Sequence, residues 1–330
     1  MKKIKYGVIG VGGLGQHHAR WASRIETIDL VGIYDIDSSR AEQIASEIKC
    51  QGFDSLEDLL SHCDAVSIVT TTSNHCDVAL KAIGAGKHVL VEKPIASNLE
   101  DADKIITAAE KKGVKLTVGH IERFNPALHA LSEYDIRPSF VEAHRLAAFN
   151  PRGADVAVVL DLMIHDIDLV LHLIQSPVKA IAASAVSVIS DTDDIANARL
   201  TFENGAVANL TASRISLQAM RKLRIFQSSG YFSLDLAKKQ ADLYRLLGDS
   251  PAAGEFAIPL GESGKKIGFL QKGNKAQDML EAELISFADC IINDTPPAVT
   301  GAEGREALEV ALRVIEESKK AADTLHAHEQ

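Results

Sequence analysis

Along the first third of the chain, short apolar runs alternate with stretches whose apolar residues recur at helical spacing, a pattern that predicts a parallel sheet with crossover helices. Strands are predicted over Ile4 to Ile9, Asp29 to Tyr34, Ala65 to Val69, His88 to Val91 and Val114 to Val118. Helices are predicted over Gly15 to Ile25, Ser38 to Ile48 (capped by Ser38), Asn74 to Ala85 and Leu99 to Lys112.

After Gly119 the period changes. A strand is predicted at 140–149, then a long apolar helix with a polar stripe from Val156 to Ile174. Strand-like segments follow at Ala180 to Ile189, Ala196 to Phe202, Ala206 to Ser213, Leu223 to Gln227, Tyr231 to Leu236 and Ala241 to Leu246. Asn204-Gly205 is a strong hairpin signal between two of them. Gly248 to Lys275 reads as a loop, and helices over Ala276 to Ile292 and Ala302 to Ala322 end the sequence. The fold class is therefore α/β: a Rossmann dinucleotide-binding domain over 1–122, then an α+β domain over 123–330 with a large, mostly antiparallel open sheet. The last helix is placed to pack back on the first domain.

Composition narrows the function classes. With 46% hydrophobic and 24% charged residues the chain has the balance of an ordinary globular protein, and no apolar run approaches the roughly 18 residues of a membrane span. Cys50, Cys63, Cys76 and Cys290 form no C-x-x-C pair, which fits a reducing, cytoplasmic setting and argues against a zinc site; no metal is expected. A net charge of −10 argues against nucleic acid as partner while leaving room for a local basic pocket.

Gly10-Val11-Gly12-Gly13-Leu14-Gly15 follows the first strand and opens the first helix, the context that a G-x-G-x-x-G dinucleotide turn requires. The glycines permit a tight turn and close backbone approach to a pyrophosphate, and the helix start offers free N–H donors. Asp35, about twenty residues on, ends the second strand where a carboxylate holds ribose hydroxyls and repels a 2′-phosphate, so NAD is expected over NADP. Arg40 tempers that preference. Thr70, Thr71, Asn74 and His75 follow the next long strand at the same sheet edge; they read either as cofactor contacts or as helix capping by Ser73 or Asn74.

Two further groups carry potential chemistry. Val89-Leu90-Val91-Glu92-Lys93-Pro94 reads as a buried strand ending in a charged pair, with Lys93 held extended by the proline. An ammonium there can lower the pKa of a reacting hydroxyl, or it can be a surface residue paired to Glu92. Asp161, His165, Asp168 and His172 are spaced to share one helix face, which reads as a working stripe, a solvated face, or, for Asp161 and His165, half of a metal site.

Taken together, the glycine turn, Glu92-Lys93-Pro94 and Asp161-x-x-x-His165-x-x-Asp168 resemble the glucose-fructose oxidoreductase / inositol dehydrogenase / rhizopine-catabolism (Gfo/Idh/MocA) family in order and spacing. The resemblance implies that Lys93 lies near the reacting hydroxyl, with Glu92 and Lys93 also at the cofactor, that His165 is the acid/base, and that Asp161 places substrate or histidine. It also implies a cis peptide before Pro94 and a homodimer or homotetramer built through the second sheet. The approach Ala154-Asp155-Val156-Ala157-Val158-Val159-Leu160 lacks the glycines of many members. Residues 119–126 and 159–168 look most like the branch that oxidises the 3-hydroxyl of UDP-N-acetylglucosamine. An anionic nucleotide sugar would suit Arg123 and Arg152 as substrate ligands, with Arg145, Arg214, Arg221 and Arg224 nearby in sequence or sheet. The alternatives are a dehydrogenase of a free sugar, inositol or dihydrodiol, and a non-catalytic NAD-binding sensor.

Overall fold

A computed structural model describes residues 3–150, 156–247, 255–273, 276 and 278–328. The chain forms two compact units, Met1–Ile121 with Asp278–Leu308, and Glu122–Gln277 with Glu309–Gln330.

In the first unit, β1 (Ile4–Ile9), β2 (Ile28–Tyr34), β3 (Gln51–Gly52), β4 (Ala65–Ile68), β5 (His88–Glu92) and β6 (Leu116–Gly119) form a parallel sheet in the order β3-β2-β1-β4-β5-β6. This is the doubly wound dinucleotide-binding order, with its switch point between β1 and β4. The helices are α1 (Gly15–Ala22), α2 (Ser38–Ile48), α3 (Leu56–His62), α4 (His75–Gly84) and α5 (Leu99–Lys112). The cap of α2 is Asp37, whose side chain accepts from the Arg40 N–H, and not Ser38, which is already helical. The helix α3 and the short β3 are absent from the sequence reading. Two turns carrying Leu56, Leu59 and Leu60 are too short to show a period, although Ser55 caps them through the Asp58 N–H.

Helix α8 (Met279–Ile292) belongs to this unit, where Leu280, Leu284 and Phe287 pack with Tyr6, Val8, Ala19 and Ile33. Helix α9 (Gly301–His328) starts on a reciprocal cap: Thr300 accepts from the Glu303 N–H, and Glu303 accepts from the Thr300 N–H.

The second unit opens with the one-turn helix α6 (Pro126–His129) and holds a nine-stranded sheet. Its strands are β7 (Phe140–Leu146), β8 (Val178–Val186), β9 (Ile195–Phe202), β10 (Val207–Ser213), β11 (Met220–Gln227), β12 (Gly230–Asp235), β13 (Gln240–Leu246), β14 (Phe256–Pro259) and β15 (Lys266–Gly273). Only β7 and β10 pair in parallel. The turn between β9 and β10 holds Asn204-Gly205, with Gly205 at φ +87°. Of the stretch read as a loop, β14 and β15 are strands instead. Their glycines, lysines and exposed apolar residues hide the alternation, and β13 supplies the pairing that the sequence does not announce. Residues 248–254, 274 and 275 of that stretch lie outside the described residues.

Alternation along the central strands gives the second sheet two different faces. Val141, Ala143, Leu223, Ile225, Phe232 and Leu243 are buried on one side. On the other, Phe256, Phe269, Tyr244, Tyr231, Phe226 and Phe140 occupy directly paired positions across β14, β15, β13, β12, β11 and β7. The rings from Phe269 to Phe140 contact in sequence with centroids 4.8 to 5.5 Å apart. The long helix is not uniform: a π-helical turn, Val159–Met163, precedes α7 (Ile164–Ile174).

Candidate active site

One group of candidate residues lies at the carboxyl ends of β1, β2, β4 and β5. Gly10 sits at φ +84°, and a side chain there would meet the Val69 carbonyl at 2.7 Å. A Cβ on Gly15 would fall 1.8 Å from the Gly10 carbonyl, whereas one on Gly12 would meet nothing within 4 Å. The turn is thus closed by its first and last glycines and open at the middle one, the shape that backbone approach to a pyrophosphate needs. Gly13 and Leu14 continue this rim, Leu14 exposed directly before α1, which starts without a side-chain cap.

Asp35 is buried at the end of β2 and accepts from the Val11 N–H (2.7 Å) and the Asp37 N–H (2.9 Å). Arg40 pairs with both Asp35 and Asp37, so two carboxylates engage the one cation at the ribose end. A carboxylate there and an open glycine turn fit NAD, and the compensated arginine disfavours a 2′-phosphate.

Thr70, Thr71 and Asn74 line the loop after β4, where Asn74 donates to the Thr71 hydroxyl; Asn74 makes no side-chain cap on α4. His75 is 1% exposed and faces inward, with Nδ1 2.9 Å from the Pro94 carbonyl and Nε2 3.2 Å from that of Thr70. Burial pulls its pKa below the ordinary histidine value although both carbonyls act the other way. The ring is a strut between two loops.

The Lys93-Pro94 peptide is cis, as the resemblance implied, and Lys93 is half-buried. Glu92 supports that lysine. It is buried, its Oε2 accepting from the Lys93 N–H (3.1 Å) and its Oε1 lying 3.1 Å from His18 Nε2. Burial opposes its ionisation, yet the hydrogen bond to His18 and the neighbouring Lys93 hold its carboxyl below the ordinary range.

A second group of candidate residues lies in the other unit. Asp161 sits in the π-helical turn and His165 in the first turn of α7, both half-buried. The expected single stripe divides: His172 is exposed, and Asp168 is buried. Arg123 forms a bidentate pair with Asp168 (2.7 and 2.9 Å). Arg145 likewise grips Asp166 (3.0 and 2.8 Å) and also donates to Glu122 (2.8 Å). Two buried arginines thus fix the inward face of α7.

Arg214 pairs with Asp194 and donates to the Val156 carbonyl, anchoring the chain that leads into the π-helical turn. Burial opposes ionisation of Asp194, but hydrogen bonds from the Ser190 hydroxyl and from the backbone of Ile189, Ser190 and Val188 hold its carboxyl well below the usual range. Arg224 pairs with Glu142 on the aromatic face, and Arg221 is half-exposed, 4.0 Å from Glu122. Arg152, Ala154 and Asp155 lie outside the described residues. The roles of Glu122, Asp166, Asp194 and His18 are missing from the sequence reading; an unpaired-looking acid on an apolar helix was the one available signal.

Residues 4–120 match the family described as "Oxidoreductase family, NAD-binding Rossmann fold", and residues 135–233 match the "GFO/IDH/MocA C-terminal domain". A UDP-N-acetylglucosamine 3-dehydrogenase from Acidithiobacillus ferrooxidans is 39% identical over 95% of this chain and 97% of its own. The solved structure of the enzyme of that name and organism superposes with a TM-score of 0.86 at 36% identity, covering 96% of this chain and 98% of the other. A myo-inositol 2-dehydrogenase from Thermotoga maritima is 25% identical over 92% of this chain and 93% of its own. The chain belongs to the Gfo/Idh/MocA family of oxidoreductases. It is an NAD-binding enzyme of the class that oxidises CH–OH groups. Among the described residues no helix is long and apolar enough to cross a membrane.

Proposed function

We propose that this enzyme oxidises the 3-hydroxyl of UDP-N-acetylglucosamine or a closely related UDP-sugar to the ketone. The observation that carries this reading is 39% identity sustained over nearly the whole of both chains with a dehydrogenase of that name. NAD, when bound, accepts the hydride from the carbinol carbon. Gly10, Gly12, Gly13, Leu14 and Gly15 hold its pyrophosphate, Asp35 its adenosine ribose, and Thr70, Thr71 and Asn74 border it. Lys93 lowers the pKa of the reacting hydroxyl, His165 takes its proton, and Asp161 places the histidine or the sugar.

For the diphosphate, Arg221 is the candidate that the described arginines leave. It projects from the buried side of β11 and is half-exposed, whereas Arg123, Arg145 and Arg214 are buried in ion pairs. Arg152 remains a candidate from its sequence position. We also assign the aromatic row to a homo-oligomer interface, as a dimer or tetramer: Phe256 at its edge is 72% exposed and the rest is half-buried, an apolar strip of the kind that marks association. Four free thiols suit a cytoplasmic protein.

The test is NADH formation from NAD with UDP-N-acetylglucosamine, run beside UDP-glucose, free N-acetylglucosamine and myo-inositol. Turnover with the UDP-sugars alone, lost in Lys93→Ala and reduced about 10²–10⁴-fold in His165→Ala, is the expected result. Turnover of myo-inositol or the free sugar instead overturns the substrate assignment, and NAD binding without any oxidation favours the sensor.

A further inference from the structure

Behind Lys93 lies a buried polar cluster that the reaction itself does not use. Tyr6 of β1, Ser67 of β4, His18 of α1 and Glu92 of β5 form one chain of contacts: Tyr6 OH to Ser67 Oγ (2.6 Å), Ser67 Oγ to His18 Nδ1 (3.1 Å), and His18 Nε2 to Glu92 Oε1 (3.1 Å). The Lys93 N–H closes it on the second Glu92 oxygen. Glu283 of α8 reaches the same spot, with ligand-type atoms of His18, Glu92 and Glu283 all within 4.8 Å of one another. It is 2% exposed, and neither carboxyl oxygen has a hydrogen-bond partner.

Proton accounting decides what Glu283 can be. Both His18 nitrogens already meet other partners, so in either charge state the ring offers nothing to Glu283. Glu92 Oε2 accepts from the Lys93 N–H and Oε1 meets His18 Nε2, and these contacts together with the charge of Lys93 favour Glu92 as the carboxylate. An ionised Glu283 would then be a second buried anion beside Glu92 with no donor at all, an arrangement that a low-dielectric interior does not tolerate. A carboxylic acid, by contrast, carries no charge and brings its own O–H, with an oxygen of Glu92 within 4.8 Å of it.

We propose that Glu283 is a positioning residue that carries a proton and shares it with Glu92, holding that carboxylate where it fixes the backbone of Lys93. The proposal rests on the reading of Lys93 as catalytic for its effect on turnover, but the proton on Glu283 can be measured without it. Burial, and then the charge of Glu92, raise the Glu283 carboxyl well above its ordinary value, in the same sense as the geometry. The titratable groups facing it are Tyr6, His18 and Glu92, with Cys63 beside Tyr6; burial raises both the tyrosine and the thiol, so neither supplies charge near neutral pH.

The experiment is infrared spectroscopy of the full-length holoenzyme at neutral pH, as a difference between wild type and Glu283→Gln. A carboxylic-acid carbonyl band present in wild type and absent in the variant is expected; no such band overturns the proposal. A divalent cation recovered stoichiometrically with wild type and lost from the variant also overturns it, because the cluster would then be a metal site. In turnover, Glu283→Gln retains a donor and stays close to the wild-type kcat, whereas Glu283→Leu loses tenfold or more in kcat, by the order of magnitude that misplacing a reacting group costs, with little change in KM. Equal kcat in both variants removes the positioning role even where the band is found. A wild type inactive on every sugar, with the band present, defeats the substrate reading and leaves the proton in place.

Discussion

In the second unit the buried acids of α7 each meet a guanidinium: Asp166 meets Arg145 and Asp168 meets Arg123, both through two parallel hydrogen bonds. In the first unit, Glu92 and Glu283 share their surroundings with one histidine, and among the described residues neither pairs with an arginine. The first arrangement balances charge with guanidiniums that never titrate near neutral pH, even though burial raises the Asp166 carboxyl above its ordinary range. The second balances charge with protons. The support beneath Lys93 therefore rests on a proton, and that beneath His165 on guanidinium charge.

Breaking a guanidinium pair gives the largest effect. Arg123→Met leaves Asp168 buried without its bidentate partner and is expected to cost about 3–5 kcal/mol, read as a lower urea midpoint. Adding Asp168→Leu removes the stranded charge and recovers most of that loss, since well-packed apolar replacements of buried ion pairs are often neutral or better. A double variant as unstable as the single one would mean that the pair contributes something other than charge balance.

A middle-sized effect sharpens the contrast through pH. Glu283 holds its proton in the folded state above the ordinary carboxylate range, where the unfolded chain has released it. The folded state then binds more protons, so this group's contribution is complete at low pH and declines as pH rises above that range toward the folded pKa. Asp194 has the opposite sign: its folded pKa is depressed, so its contribution is present above the ordinary range and is lost as pH falls through the folded value. Urea midpoints measured against pH should show Glu283→Gln gaining on wild type toward alkaline pH. Asp194→Asn should lose most at neutral pH and converge with wild type in acid. Parallel profiles for all three proteins would remove the contrast.

Much of the first unit was legible because local rules and tertiary structure agree there. The glycine turn, Asp35 and the helix Leu99–Lys112 follow from neighbours in sequence, and the structure adds the Asn98 cap and the Gly113 stop. What escaped depends on partners far along the chain. Nothing near Glu283 announces Glu92, and His18 reads as one more polar residue after the glycines. Arg123 reads as a ligand because its residue type suits phosphate; that Asp168 takes its Nε and Nη2 donors is a tertiary fact. The π-helical turn at Asp161 was hidden for another reason, since Val158 to Met163 is apolar enough to continue a regular helix while its entry is anchored by Arg214 on the Val156 carbonyl and by the Val158 N–H on the Asp193 carbonyl.

The smallest effect is expected where charge pairs meet solvent. Arg40 is held by Asp35 and Asp37 at the rim of the cofactor site, with its side chain 46% exposed, as is 45% of that of Asp37. Asp37→Ser keeps an oxygen that can cap α2 through the Arg40 N–H, so stability should change by less than ~1 kcal/mol, the worth of an exposed pair. Its consequence is for selectivity. With one of its two carboxylates gone, Arg40 is less fully compensated and better able to meet a 2′-phosphate, while Asp35 remains to hold the ribose of NAD. The ratio of Kd values should shift toward NADP by less than about tenfold, because one exposed ion pair is the whole of the change. A shift of several orders would mean that Asp37, and not Asp35, sets the cofactor preference. No shift would mean that Asp35 alone is enough to keep Arg40 engaged, which places the entire discrimination on a carboxylate buried at the end of β2 and fixed there by the Val11 N–H of the glycine turn.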